Sequence, residues 1–223
     1  MAKFNSSIRK DFFESIDSEE KAYWLGYLIS DGSIEIMTTN SSRVSLCLNG
    51  NDKNHLYKLK ESMSIDNKVS EKTYIDKRCK KPIYRAQLKF SNPKIIKDLA
   101  NYGVVPKKTG KEFMPEVPHE LKKHLIRGYF DGDGWIRKEH KTIGFVASNN
   151  QVVDYIQSYL KEELGIVFKV IDETHLYNSG VINCNINKRK DAWTVINFLY
   201  GNSNIYLDRK KKLADEVKLL LPS

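Results

Sequence analysis

The stretch Ile126-Arg127-Gly128-Tyr129-Phe130-Asp131-Gly132-Asp133-Gly134 decides how this chain is read. It has the form of an apolar helix that ends on a carboxylate. Gly128 and Gly132 are four residues apart and share one helix face, where the missing Cβ atoms let another backbone approach closely. Asp133 falls at the helix end, and Gly134 can turn the chain away from it. Taken alone, an Asp-Gly-Asp-Gly run is an ordinary turn signal.

A second copy gives the stretch its weight. Trp24-Leu25-Gly26-Tyr27-Leu28-Ile29-Ser30-Asp31-Gly32-Ser33-Ile34 repeats the arrangement, with Asp31 lying 102 residues before Asp133. Gly26 matches Gly128, Tyr27 matches Tyr129, and Ser30 supplies the small residue that Gly132 supplies later. Ile34 and Ile136 match beyond each Asp-Gly. An internal repeat of this kind predicts two copies of one structural unit. Two helices with small residues spaced by four can pack face to face, which puts Gly26, Ser30, Gly128 and Gly132 at a helix interface. Asp31 and Asp133 then emerge at the same end of the pair.

The order of elements around each copy agrees. Ser18-Glu19-Glu20 starts a helix, with a capping hydroxyl and acids in the first turn. The spacing then predicts strands at Ser33–Thr38 and Arg43–Asn49, joined by the turn Thr39-Asn40-Ser41-Ser42. A helix capped by Asp52 runs to Met63, with strands near Lys68–Ile75 and Ile83–Ser91 and a helix at Ile95–Tyr102 stopped by Gly103. After a connector, the second half predicts a helix at His119–Asp133, strands at Trp135–Arg137 and Thr142–Ser148, and a helix at Gln151–Leu164. Strands near Ile166–Asp172 and Val181–Asn187, a helix at Lys190–Tyr200 and a last helix at Asp208–Leu221 complete it. The domain reading is an N-terminal half (1–103), a linker (104–118) and a C-terminal half (119–223).

Strand alternation marks polar rows. Val44, Leu46 and Leu48 alternate with Arg43, Ser45 and Cys47. Tyr84, Ala86, Leu88 and Phe90 oppose Arg85, Gln87, Lys89 and Ser91. Ile182, Cys184 and Ile186 oppose Asn183, Asn185 and Asn187. Such rows are also what a solvated sheet face shows, but Arg and Gln can each make paired hydrogen bonds to base edges in a major groove. The candidate DNA contacts are Arg43, Ser45, Lys80, Lys81, Arg85, Gln87, Lys89, Arg137, Lys138, Asn183, Asn185 and Asn187.

These residues resemble the LAGLIDADG homing endonucleases, whose nine-residue motif maps onto Trp24–Gly32 and Ile126–Gly134. The family's essential acid falls on Asp31 and Asp133. Ile29 departs from the motif's earlier acid, which the second copy keeps as Asp131; the resemblance makes that acid structural. It implies an α+β fold of two pseudo-symmetric αββαββα half-domains, each with a curved antiparallel sheet, joined by the paired motif helices. It also implies a monomeric endonuclease that cuts both strands of a long, asymmetric double-stranded DNA target and leaves short 3′ overhangs. A basic residue assists each acid in the family. The matching places are Pro106-Lys107-Lys108-Thr109 and Leu207-Asp208-Arg209-Lys210, so Lys108 and Lys210 are the candidates, with Lys111 and Arg209 as substitutes.

Chemistry gives the metal expectation. Two carboxylates brought together repel unless cations or protons separate them, and hard Mg²⁺ prefers carboxylate, phosphate and water oxygen. Asp31 and Asp133, with the backbone carbonyls of Gly32 and Gly134, are the expected ligands for Mg²⁺, with Mn²⁺ or Ca²⁺ as substitutes in binding. An acid at a helix C-terminus opposes the helix dipole, so a purely structural role explains the placement poorly. Rival readings on the same scaffold are an RNA-binding maturase that assists an intron and a non-catalytic DNA-binding regulator.

Composition narrows the field further. The 223 residues carry 37 Lys+Arg against 28 Asp+Glu, a net charge of +9 that suits a polyanionic partner. Cys47, Cys79 and Cys184 form no Cys-x-x-Cys pair, which reads as a reduced intracellular protein. His119 and His124 do not share a helix face as zinc ligands would, and His55, His140 and His175 are scattered. No phosphate-binding or dinucleotide glycine fingerprint is present. The N-terminus lacks the apolar core of a signal peptide and no apolar run is long enough to span a membrane, so a soluble protein is expected. The initial Met and the absence of a terminal His-Asn are unlike an intein.

Overall fold

The fold was obtained as a computed structural model that describes residues 7–37, 41–77, 80–140, 142–172 and 180–219, the side chains of 218 and 219 excepted. Thr38, the turn residues Thr39 and Asn40, Cys79, His175 and the expected helix end at Leu221 lie outside the described residues. In chain order the elements are α1 (Glu19–Ser30), β1 (Gly32–Ile36), β2 (Ser42–Asn49), α2 (Lys53–Met63), β3 (Ser70–Ile75), β4 (Pro82–Phe90) and α3 (Pro93–Asn101). The second half has α4 (His119–Asp133), β5 (Gly134–Arg137), β6 (Thr142–Ala147), α5 (Asn150–Leu164), β7 (Lys169–Asp172), β8 (Ile182–Ile186), α6 (Arg189–Tyr200) and α7 (Asp208–Leu219). The sheets have the same order, β1-β2-β4-β3 and β5-β6-β8-β7, and every pairing is antiparallel. No helix among the described residues is long and apolar enough to cross a membrane.

α1 and α4 form the centre. Ser18 caps α1 by accepting from the Lys21 N–H at 3.4 Å, and every residue from Ala22 to Ile29 is buried. A helix with no wet face has to be enclosed by other elements, and α4 closes one side. A Cβ on Gly26 would be driven into the Leu125 carbonyl, and one on Gly128 into the Tyr23 carbonyl. One on Gly132 would strike the Ser30 hydroxyl. The helices are therefore parallel, with backbone against backbone at Gly26 and Gly128 and Gly132 against the Ser30 side chain, so all four positions that the repeat singled out lie in the contact.

Each sheet lays one face on this core. Val44, Leu46, Leu48, Ala86, Leu88 and Phe90 are buried in the first half, and Ile143, Phe145, Ile182, Cys184 and Ile186 in the second. The strand boundaries differ from expectation mainly at β7, which begins at Lys169 rather than Ile166; Ile166 and Phe168 are buried short of the strand. Asp52 makes no capping hydrogen bond to α2, because its carboxylate accepts from Arg209 Nε at 2.8 Å instead. Gly103, at φ +84°, ends α3 as anticipated.

Two buried polar networks pin the helix pair. Asp131 is fully buried and accepts from Tyr23 Oη (2.7 Å), Tyr200 Oη (2.5 Å) and the Leu207 N–H (2.8 Å). Tyr23, whose hydroxyl proton is directed at Asp131, accepts from His55 Nε2 at 3.0 Å. His55 is thus neutral with Nδ1 bare, in keeping with burial pushing its pKa well down. At the other end buried Arg127 bonds the carbonyls of Ile205 and Leu199 and pairs with Glu19 at 2.7 Å. Both networks span the two halves, so removing one partner strands a buried charge.

Candidate active site and nucleic-acid faces

The geometry at the helix ends follows from the close packing. Asp31 caps α1, its N–H reaching back to the carbonyls of Tyr27 and Leu28, while Asp133 is the last residue of α4 and leads straight into β5. Asp31 keeps an exposed edge and Asp133 is half-buried. Burial raises the pKa of Asp31 against the pull of Lys210, Lys108 and the Tyr27 hydroxyl. Burial, then the charge of Asp31, push Asp133 up to about 6, although Lys108 and Lys210 oppose the rise. Asp133 therefore feels the charge of Asp31, and both acids feel both lysines.

The lysines hold the helix ends. Lys210 Nζ donates to the carbonyls of Phe130 (2.5 Å), Asp131 (2.8 Å) and Gly134 (2.5 Å). Lys108 Nζ does the same for Ile29 and Ser30. Burial lowers the pKa of Lys210 to about 8, with Asp131 the largest opposing influence, and burial also lowers that of Lys108. Lys108 sits in the irregular connector, whereas Lys210 lies in the first turn of α7. The substitutes sit elsewhere: Lys111 is exposed, and Arg209 is paired with Asp52.

A cleft of about 480 Å³ opens beside Asp133, lined among others by Ser30, Gly32, Lys107, Lys108 and Glu112. Glu112 is the residue that sequence reasoning missed here. It accepts from Ser148 Oγ at 2.5 Å and adds negative charge near Asp133 and Lys108. Four residues beyond Lys210 the sequence has Ala214, so the repeat does not carry this acid at the matching spacing. No signal in the sequence marked it, since the connector shows no periodicity.

Two repelling carboxylates of raised pKa form a hard oxygen pair, which fits a divalent cation. The Gly134 carbonyl accepts from the Lys210 ammonium, which leaves it one lone pair. Gly32 stands at the start of β1 opposite Leu46 and lines the cleft. Among the described residues no three His, Cys, Asp or Glu side chains gather to enclose a metal. A cation between Asp31 and Asp133 therefore needs outside oxygens to complete its shell.

The exposed sheet faces flank this centre. In the first half the register sets Ser45 beside Lys89, Cys47 beside Gln87 and Lys72 beside Arg85. Arg85, Lys80 and Lys81 are exposed, and Gln87 and Lys89 are half-buried on the same face. Ser45 is on that face but buried, because Gln87 Nε2 closes over it and donates to its hydroxyl at 2.9 Å. It does not stand free for contact. Arg43 and Lys89 converge on Glu35, which had not been singled out, at 2.6 and 3.3 Å. In the second half Arg137 is exposed and lies over the Trp135 ring at 4.5 Å. Lys138 points the other way and pairs with Glu216 of α7 at 2.8 Å, so it leaves the proposed face. Asn183 and Asn185 lie in β8, and Asn187 is exposed just past the strand end.

Residues 120–197 match the LAGLIDADG-like domain family. The Replication factor C small subunit of Methanocaldococcus jannaschii is 26% identical over 174 residues, 76% of this chain, yet the chain spans only 9% of that protein's length. The homing endonuclease I-WcaI bound to its DNA recognition sequence has a TM-score of 0.60 at 11% identity, covering 94% of this chain and 95% of its own. I-DmoI in complex with DNA and Mn has 0.52 at 19%, covering 82% and 97%. Full-length DUF199/WhiA from Thermatoga maritima has 0.53 at 13%, covering 96% of this chain and 66% of its own. The chain has the LAGLIDADG homing endonuclease fold, in its single-chain form with two pseudo-symmetric halves.

Proposed function

We propose that the chain is a site-specific, divalent-metal-dependent DNA endonuclease that hydrolyses both strands of a long, asymmetric duplex and leaves short 3′ overhangs. The observation that carries this reading is the pair of aspartates at touching helix ends, each with a buried lysine beside it, between two polar sheet faces. I-WcaI and I-DmoI, which share the fold, are described on DNA, the latter with Mn. Mg²⁺ is the proposed cofactor here, with Mn²⁺ or Ca²⁺ able to replace it in binding. Asp31 and Asp133 would hold it; bound there, it would supply water activation and offset charge at phosphorus. Lys108 and Lys210 keep the two carboxylates in register by fixing the helix-end carbonyls. Their ammonium groups also set positive charge where the phosphate arrives. One chain provides both acids, so a monomer suffices, and two unlike halves suit a target without simple symmetry.

A second reading is DNA binding without cleavage. The fold alone leaves it open, since the N-terminal LAGLIDADG domain of WhiA shares that fold as the endonucleases do. The deciding experiment is selection of cleaved sites from a randomised duplex library with Mg²⁺, followed by sequencing of the ends. Defined ends with 3′ overhangs support the endonuclease. Enrichment of bound but uncut duplex supports the regulator, and enrichment only of RNA from a parallel pool supports a maturase.

A further inference from the structure

Positions 35 and 137 are equivalent in the repeat, each four residues beyond its aspartate and each on the edge strand that follows its motif helix. They carry opposite chemistry. Arg137 presents donors only, and its guanidinium lies over the indole of Trp135 with 4.5 Å to the ring centroid. That indole is seated on Gly144, where a Cβ would collide with the ring, so the platform requires a glycine at the paired position. A guanidinium stacked this way has its fork pre-oriented and loses less freedom on engaging a base. Glu35 presents acceptors only. Arg43 from the paired strand donates Nε to it at 2.6 Å, and Lys89 approaches at 3.3 Å, which lets a carboxylate stand on a face meant for a polyanion.

Resting on the endonuclease reading, we infer that Glu35 and Arg137 are the specificity-determining residues at two base pairs equidistant from the target centre, and that they break its symmetry. Arg137, positioned by Trp135, takes the O6 and N7 acceptors of guanine. Glu35 takes an exocyclic amino group, cytosine N4 foremost, and disfavours guanine. Four strand residues span about 13 Å, which is roughly four base pairs at 3.4 Å each. A protein with matched residues at these places would select one base twice, as a palindrome requires. This chain does not.

The test selects bound duplexes from a randomised library in Ca²⁺ with wild type, R137A, R137K, W135A, W135F and E35A, and compares base preferences by position. R137A is expected to lower binding to the preferred base roughly 5- to 150-fold and to flatten one position only. R137K keeps the charge but loses the preference, because an ammonium has no planar fork. W135A flattens the same position, and W135F, which keeps a ring, restores part of it; this separates positioning from a general loss of fold. E35A flattens the position at equal distance on the other side and raises overall affinity as Arg43 and Lys89 are freed. Wild-type preferences that are palindromic at this pair, or variants that shift neither position, overturn the inference while leaving the endonuclease intact. Failure of wild type to bind any duplex overturns both.

Discussion

Neutralising Asp133 should stabilise the protein, and the effect should appear only at high pH. The substitution is Asp133→Asn, which keeps shape and removes charge. Burial and Asp31 push this carboxyl up to about 6, whereas an aspartate in an unfolded chain titrates near 3.9. The folded state therefore binds the proton more tightly, so stability is fully present below about pH 4 and lost as pH rises through about 6. The gap corresponds to at most about 3 kcal/mol. Asp133 is only half-buried, and its loss leaves Lys108 and Lys210 with one counter-charge fewer, so about 1–2 kcal/mol is the expected net gain. For a chain of this length that is roughly 2–8 °C in Tm. Calorimetry in a chelator at pH 8 and pH 4 makes the comparison. The variant should melt higher at pH 8 and level with wild type at pH 4. Mg²⁺ should raise the wild-type Tm at pH 8 and leave the variant's nearly unchanged, because a cation that binds only the folded state adds stability by mass action. A variant that melts no higher than wild type at pH 8 would refute the view that two repelling acids are held together here.

Gly128→Ala should destabilise, although Ala is the better helix former by roughly 0.5–1 kcal/mol. The added methyl meets the Tyr23 carbonyl rather than a movable side chain, and overpacking of about 1–3 kcal/mol should win; a melting temperature at or above wild type would show that the helices can part cheaply. Lys210→Met should cost about 2–4 kcal/mol by leaving buried carbonyls without a donor. Lys108→Met should cost less, since it serves two carbonyls rather than three; denaturant midpoints that fall equally for both would contradict the asymmetry.

The helices and their contact were legible because the constraint is local and repeated. Glycines at 26 and 128 can be conserved in register between copies only if something touches them, and the two carbonyls do. The strand faces were legible through alternation, which states which side a residue occupies. It does not state which partner a long side chain will choose. Lys138 reaches α7, Arg43 and Lys89 turn to Glu35, and Gln87 folds over Ser45. Glu112 was hidden for a different reason: an irregular connector places its side chains through contacts such as that with Ser148, which no period encodes. The lysines were found through resemblance, and their capping of the helix ends depends on geometry that spacing alone does not contain.

The central claim is that Asp31 and Asp133 act together on a phosphodiester. It is tested most directly by single-turnover cleavage of the selected duplex in Mg²⁺ by wild type, Asp31→Asn and Asp133→Asn, with binding to the same duplex measured in Ca²⁺. The account predicts no double-strand product from either variant while binding is kept or strengthened, because a negative charge beside phosphate has been removed. Cleavage of both strands at the wild-type rate by either variant would contradict it.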